Sequence, residues 1–239
     1  MGALQLLALS IAPGLAICIY IYWQDRFEKE PLKLLFTSFF LGIISVIPTL
    51  LLSTVAEWLG SNPGSESLLI SLMSCILGIG LVEEYCKYIF VRYDAYKKNA
   101  FNEPYDGITY SVMVSMGFAT LENILYVFGA ESESGNGGLI GIMRMFTSVP
   151  AHASFAVIVG YHLGLAKYDN RKNHGLTGLA VASVLHGLYD FFLFNSHIPG
   201  MVLGALVSLY FGIRYSLKAI RLHQSASPYY GSNPPSAGI

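Results

Sequence analysis

Long apolar runs, each about the length of a membrane crossing, alternate with short polar segments along the whole chain. The run at 68–91, LLISLMSCILGIGLVEEYCKYIFV, is the one the others are organised around. At about 1.5 Å per residue it covers roughly 36 Å, more than the ~30 Å hydrocarbon core of a bilayer. Glu83, Glu84 and Lys87 sit inside it. Ending the helix near Gly80 would place those charges in water, but would leave only about 13 apolar residues, too few to span.

The same reading predicts seven spans, at about 3–23, 32–59, 68–91, 106–128, 150–166, 176–194 and 201–217. Pro48 is expected to kink the second, and Asp106 to cap the fourth from its N-terminus. The stretch 139–148, carrying Arg144, reads as a short re-entrant or interfacial helix, and the loop 129–138 as flexible. Positions 225–239, rich in Ser, Pro, Gly and Tyr, read as a disordered cytoplasmic tail. The expected organisation is therefore all-α: one transmembrane helical domain over 1–224, and no second domain or repeat.

Composition agrees. Hydrophobic residues make up 54% of the chain and charged residues 12%, against about 25% charged in a soluble domain. This is a multi-pass membrane protein. A net charge of −1 gives no reason to expect nucleic acid. Cys18, Cys75 and Cys86 lie in apolar runs without ligand-like spacing and read as small buried hydrophobes.

Charge sets the expected orientation. Arg26, Lys29, Lys33, Arg92, Lys97, Lys98, Lys167, Arg171, Lys172, Arg214, Lys218 and Arg221 fall on one side of a seven-span arrangement. By the positive-inside rule the N-terminus is outside and the C-terminus cytoplasmic. No basic residue precedes the first run, the reverse of a cleaved signal peptide, so that run reads as an uncleaved helix.

Ionisable residues inside membrane spans are costly and usually face a bundle interior. Besides Glu83 and Glu84 there are Glu122, His152, His186 and Asp190, on three further spans. Glu83 lies about 13 Å from the basic end of its span and His186 about 15 Å from that end of its own, so the two are at similar depth. Glu122, His152 and Asp190 are expected nearer the outer side. Phe118 with Glu122, Glu83 with Lys87, and His186 with Asp190 are each one turn apart on a helix face. Glu83 and Glu84 point about 100° apart, so only one can face the centre squarely, while the other is free to pair with Lys87 or a neighbouring helix. Asn123 could donate to a developing oxyanion. Taken singly, a membrane histidine is often only a helix–helix hydrogen bonder; His162, His174 and His197 read as surface or interfacial, and Glu57 as lying near a span end.

The ordered set Glu83-Glu84-x-x-Lys87, Glu103-Pro104-x-Asp106-Gly107, Gly117-Phe118-x-x-x-Glu122-Asn123-x-x-Tyr126, Pro150-Ala151-His152, Gly160-Tyr161 with Gly164, and His186-Gly187-x-x-Asp190 resembles the PrsW family of intramembrane proteases over about residues 80–195. The wider superfamily includes the CAAX-processing enzyme Rce1, which implies a glutamate-dependent peptidase inside a helical bundle, with a catalytic core at about 68–195, and the resemblance implies a bacterial cell membrane. The family resemblance implies first-site cleavage of a single-span anti-sigma factor from its outer side. The chemistry expected is hydrolysis by a water activated between a glutamate and a histidine. Glu83 or Glu84 would be the base, His186 oriented by Asp190 would shape the water, and His152 or Asn123 would serve as further donors. No cofactor is predicted. A zinc variant would use Glu83, Glu122, His152 and His186, and loss of activity on chelation would favour it. Buried acids and histidines also build ion pathways, so a proton- or ion-coupled transporter is the alternative, and a non-catalytic binder of membrane segments a third reading. Self-association is left open.

Overall fold

Helices that run antiparallel from one pass to the next make up the computed structural model, which describes residues 1–168 and 173–229. They are α1 (Ala3–Gln24), α2 (Leu32–Trp58), α3 (Leu68–Met73), a π-helical segment (Ser74–Gly80), α4 (Leu81–Tyr93), α5 (Pro104–Ser134), α6 (Gly137–Phe146), α7 (Ser148–Tyr168), α8 (His174–Phe194) and α9 (Met201–Ser225), with a short 3-10 turn (Ala95–Lys97) after α4. Since α3, the π segment and α4 form one continuous crossing and α6 is a short preface to α7, seven passes result, as the apolar pattern predicts. Six of them are long and apolar enough to cross a membrane. The remaining one, α9, carries Arg214, Lys218 and Arg221 along its second half. Positions 169–172, which include Arg171 and Lys172, and 230–239 of the expected tail lie outside the described residues.

The central pillar is α5, in which every residue from Pro104 to Thr120 is buried. Its small residues explain how neighbours reach it. A Cβ on Gly107 would meet the Gly160 carbonyl of α7, and one on Gly117 would run into the Phe39 carbonyl of α2. Gly42 of α2 presses in the same way on the Val114 carbonyl of α5. Without a hydrophobic drive between helices in lipid, such backbone contact is what holds passes together. By contrast α1 and α2 turn Leu4, Ile19, Phe36, Ile47, Leu51 and Val55 outward, an apolar jacket suited to acyl chains.

Three local features differ from the sequence expectation. Helix α5 starts at Pro104, and Asp106 acts from its third position: its Oδ2 accepts the backbone N–H of Glu103 at 2.7 Å and of Asn102 at 2.6 Å. The Pro at the first helical position, whose nitrogen has no hydrogen to satisfy, permits the earlier start. The stretch expected to be a flexible loop from Gly129 continues α5 through Ser134, where Gly135 ends it with φ of 67°. Ser227 is buried with its hydroxyl donating to Glu103 Oε2, so the chain just past α9 packs on the start of α5.

Candidate active site

The π segment interrupts the third pass immediately before Glu83 and Glu84. One extra residue in a turn rotates the remainder of the helix about its axis, and such insertions gather at functional sites. Glycines then bring this pass against α8: a Cβ on Gly80 would strike the Ser183 carbonyl, and one on Gly187 the Ile76 backbone. That contact places His186 directly on the Glu-Glu pair.

Glu84 Oε1 accepts from Lys87 Nζ at 2.5 Å and lies 2.9 Å from His186 Nδ1. The other imidazole nitrogen, Nε2, is 3.3 Å from Asp190 Oδ2 and 3.8 Å from Glu83 Oε2. Lys87 Nζ is also 3.7 Å from Glu83 Oε2 and 3.4 Å from His152 Nδ1. On α5, Glu122 Oε2 lies 2.9 Å from His152 Nε2 and accepts from Arg144 Nη2. Arg144 Nε donates to Asn123 Oδ1 at 2.7 Å, and the guanidinium stacks on the Tyr126 ring at 4.1 Å. Phe118 backs the cluster, with Lys87 Nζ over its ring at 4.5 Å and His152 edge-on to it. The two imidazoles stand perpendicular, 5.1 Å apart, and Phe155 stacks on His186 at 4.8 Å.

Every site residue named from the sequence thus lies in one cluster drawn from α4, α5, α7 and α8. The two adjacent glutamates part company. Glu83 lines a cavity of about 240 Å³ together with Glu122, Arg144, His152, His186 and Asp190; Glu84 lies behind it, held by Lys87 and His186. Asn123 does not line that cavity. Its amide nitrogen donates to the Ser10 carbonyl of α1 at 3.4 Å and its oxygen holds Arg144. Arg144 is not among the site residues expected from the sequence. The available signal is its isolation: with Lys87, it is the only basic residue away from the basic flank.

The charges do not balance. Glu83, Glu84, Glu122 and Asp190 face two fixed cations, Lys87 and Arg144. Protons or a divalent cation must supply the difference, because an unpaired buried carboxylate is expensive. Glu83 Oε2 is buried without a hydrogen-bond partner. One donor atom each from Glu83, His152 and His186 lie within 4.8 Å of one another. Two imidazoles and one carboxylate form a known catalytic zinc donor set, so these residues fit a metal ion of that class. Glu122, the fourth member of the set expected from sequence, is engaged by Arg144 and His152.

A family model described as PrsW family intramembrane metalloprotease matches residues 30–215. A protein named Protease PrsW from Bacillus subtilis is 36% identical over 219 residues, 90% of this chain and 95% of that protein. The Geobacillus kaustophilus protein of the same name is 36% identical over 84% of each chain, and that of Clostridioides difficile 36% identical over 80% of this chain and 79% of its own length. No solved structure matches. With the match covering most of the chain and the shared passes including every site residue, this chain belongs to the PrsW family of intramembrane proteases and is a peptidase embedded in the membrane by several passes.

Proposed function

We propose that this peptidase makes the first cut in a membrane-anchored regulatory protein, a single-span anti-sigma factor, using a water held where Glu83, His152 and His186 converge. The observation that carries the reading is the Glu83 carboxylate, whose Oε2 is buried, makes no hydrogen bond and lies close to both imidazoles. Glu83 takes the water's proton and returns it to the leaving amine. Glu84 accepts from Lys87 and holds His186 Nδ1, so that Nε2 faces the cavity. Arg144, steadied by Asn123 and Tyr126, supplies a fixed positive charge for the tetrahedral oxyanion. The substrate class follows from the family resemblance. The basic flank at the opposite end of the bundle supports cleavage on the outer side.

A second reading rests on the same donors. A zinc-class ion held by Glu83, His152 and His186 would acidify a water and polarise the scissile carbonyl. Glu122 and Asp190 would then be the cavity carboxylates left to accept a proton.

The test is reconstitution of the purified protein in liposomes with a single-span substrate. Wild type is expected to cleave it, and Glu83→Gln and His186→Ala are not. Cleavage that survives a zinc chelator favours the first reading; loss restored by zinc favours the second. Ion flux without cleavage would replace both with transport.

A further inference from the structure

Helices α2 and α5 run in the same direction and touch backbone to backbone where Gly42 and Gly117 meet. Past that crossing a second cavity, of about 520 Å³, stands between them. One face of α2 supplies its outer wall through Val46, Thr49, Ser53 and Glu57, spaced three or four residues apart. Phe118 and Leu125 of α5 form the inner wall. The cavity adjoins the catalytic one, since Ile79, Glu83, Glu122 and Tyr126 line both. On the far side of α2, Ile47, Leu51 and Trp58 are exposed with no helix over them among the described residues, so only α2 separates this space from lipid.

We infer that the space between α2 and α5 seats the stretch of substrate beside the scissile bond, and that Glu57 at its mouth reads a basic side chain there. The inference rests on the peptidase reading of the neighbouring site. Three observations choose the occupant. The floor of the space is the carboxylate pair of Glu83 and Glu122, so whatever lies in it lies against the reacting atoms. Its wall grades from apolar Val46 through hydroxyls at Thr49 and Ser53 to a carboxylate at Glu57, which suits a chain passing out of lipid into water. Glu57 is exposed and no ion pair among the described residues engages it, so its charge is available to an incoming cation.

Depth sets the register. Gly78 faces Ala56 and Ser61, which puts it level with Glu57. Glu83 lies about one and a half turns further along the same pass, or about 7 Å deeper. An extended chain advances about 3.3 Å per residue, so the basic residue belongs about two or three positions from the scissile bond, on one side of it.

The experiment uses the whole protein in liposomes and a series of single-span substrates, each with one Lys placed one to six positions before or after the cleaved bond. With wild type, kcat/KM should peak about fivefold above the alanine reference for Lys at the second or third position on one side, the gain expected of an exposed ion pair. Glu57→Lys should invert the preference at that position, disfavouring Lys and favouring Glu by at least that factor, and high salt should erase both effects. A flat profile with wild type, or an unchanged profile with Glu57→Lys, overturns the inference while leaving the peptidase standing. Wild type that cleaves no member of the series overturns both.

Discussion

Glu84 Oε1 and His186 Nδ1 lie 2.9 Å apart although 102 residues separate them in the chain. The same oxygen accepts from Lys87, so one carboxylate ties the third pass to the sixth and commits the imidazole's Nδ1. Its neighbour Glu83 makes no hydrogen bond through Oε2 and faces the cavity. Two adjacent, chemically identical side chains therefore have different work.

Substituting them separately should show this. Glu84→Gln leaves the Lys87 ammonium buried with only the 3.7 Å contact to Glu83 as an ion pair, which should cost about 3 kcal/mol of stability and lower the unfolding temperature in detergent. Glu83→Gln breaks no hydrogen bond through Oε2, so unfolding should stay near wild type while cleavage falls by a factor of about 10² to 10⁴. Equal stability losses in the two variants would contradict the division.

Arg144 reaches Asn123 through Nε and Glu122 through Nη2. A lysine cannot reproduce that fork. Both Arg144→Gln and Arg144→Lys should reduce kcat by about 10² with little change in KM. Recovery of activity in the lysine variant would show that only the charge matters.

The crossing of α2 and α5 depends on Gly42 and Gly117. Gly117→Val would place side-chain atoms in the Phe39 backbone and should destabilise the bundle by about 1–3 kcal/mol or more. Gly129, with nothing near its missing Cβ, is the control: Gly129→Ala should be neutral or stabilise by about 0.5–1 kcal/mol through helix propensity.

A pH dependence is built into the opposite end of the bundle. Burial, reinforced by Glu103 and only partly offset by Lys29, raises the Asp25 carboxyl to about 8, and burial raises Glu30 to about 7. Glu103, just before α5, and Asp106 and Tyr110 within it face these groups, and Glu103 is itself raised by burial. A carboxyl whose folded pKa lies above its unfolded value binds more protons when folded, so its contribution to stability is complete at low pH and drains away as pH rises toward the folded pKa. Thermal stability should therefore fall between about pH 4 and 8, from the unfolded carboxylate range to the folded values, and Asp25→Asn should flatten that slope. A rise over the same interval would refute the assignment.

Chain order makes much of this molecule legible. Apolar run length alone yields the seven passes, because each crossing must satisfy its backbone within one helix. The rarity of charge in lipid singles out Glu83, Glu84, Glu122, His152, His186 and Asp190 before any contact is known. Local rules are weaker at the ends of passes. Asp106 works from the third helical position, and α5 outlasts its apolar stretch through Ser134, since a helix can continue into water where composition turns polar.

The partnering of those residues comes only from the tertiary contacts. Helical spacing puts Glu83 and Glu84 on faces about 100° apart, but which face meets the cavity depends on the π segment at Ser74–Gly80 and on the Gly80–Gly187 approach to α8. Arg144 is marked in the sequence only by its isolation from the basic flank, and its role is not legible there, because its partners Glu122 and Asn123 lie 22 and 21 residues earlier and meet it only when α6 folds back onto α5. Periodicity and burial cost act along a single chain segment and can be read there; the pairing of charges is settled between segments, where close approach of backbones decides which side chains can reach one another.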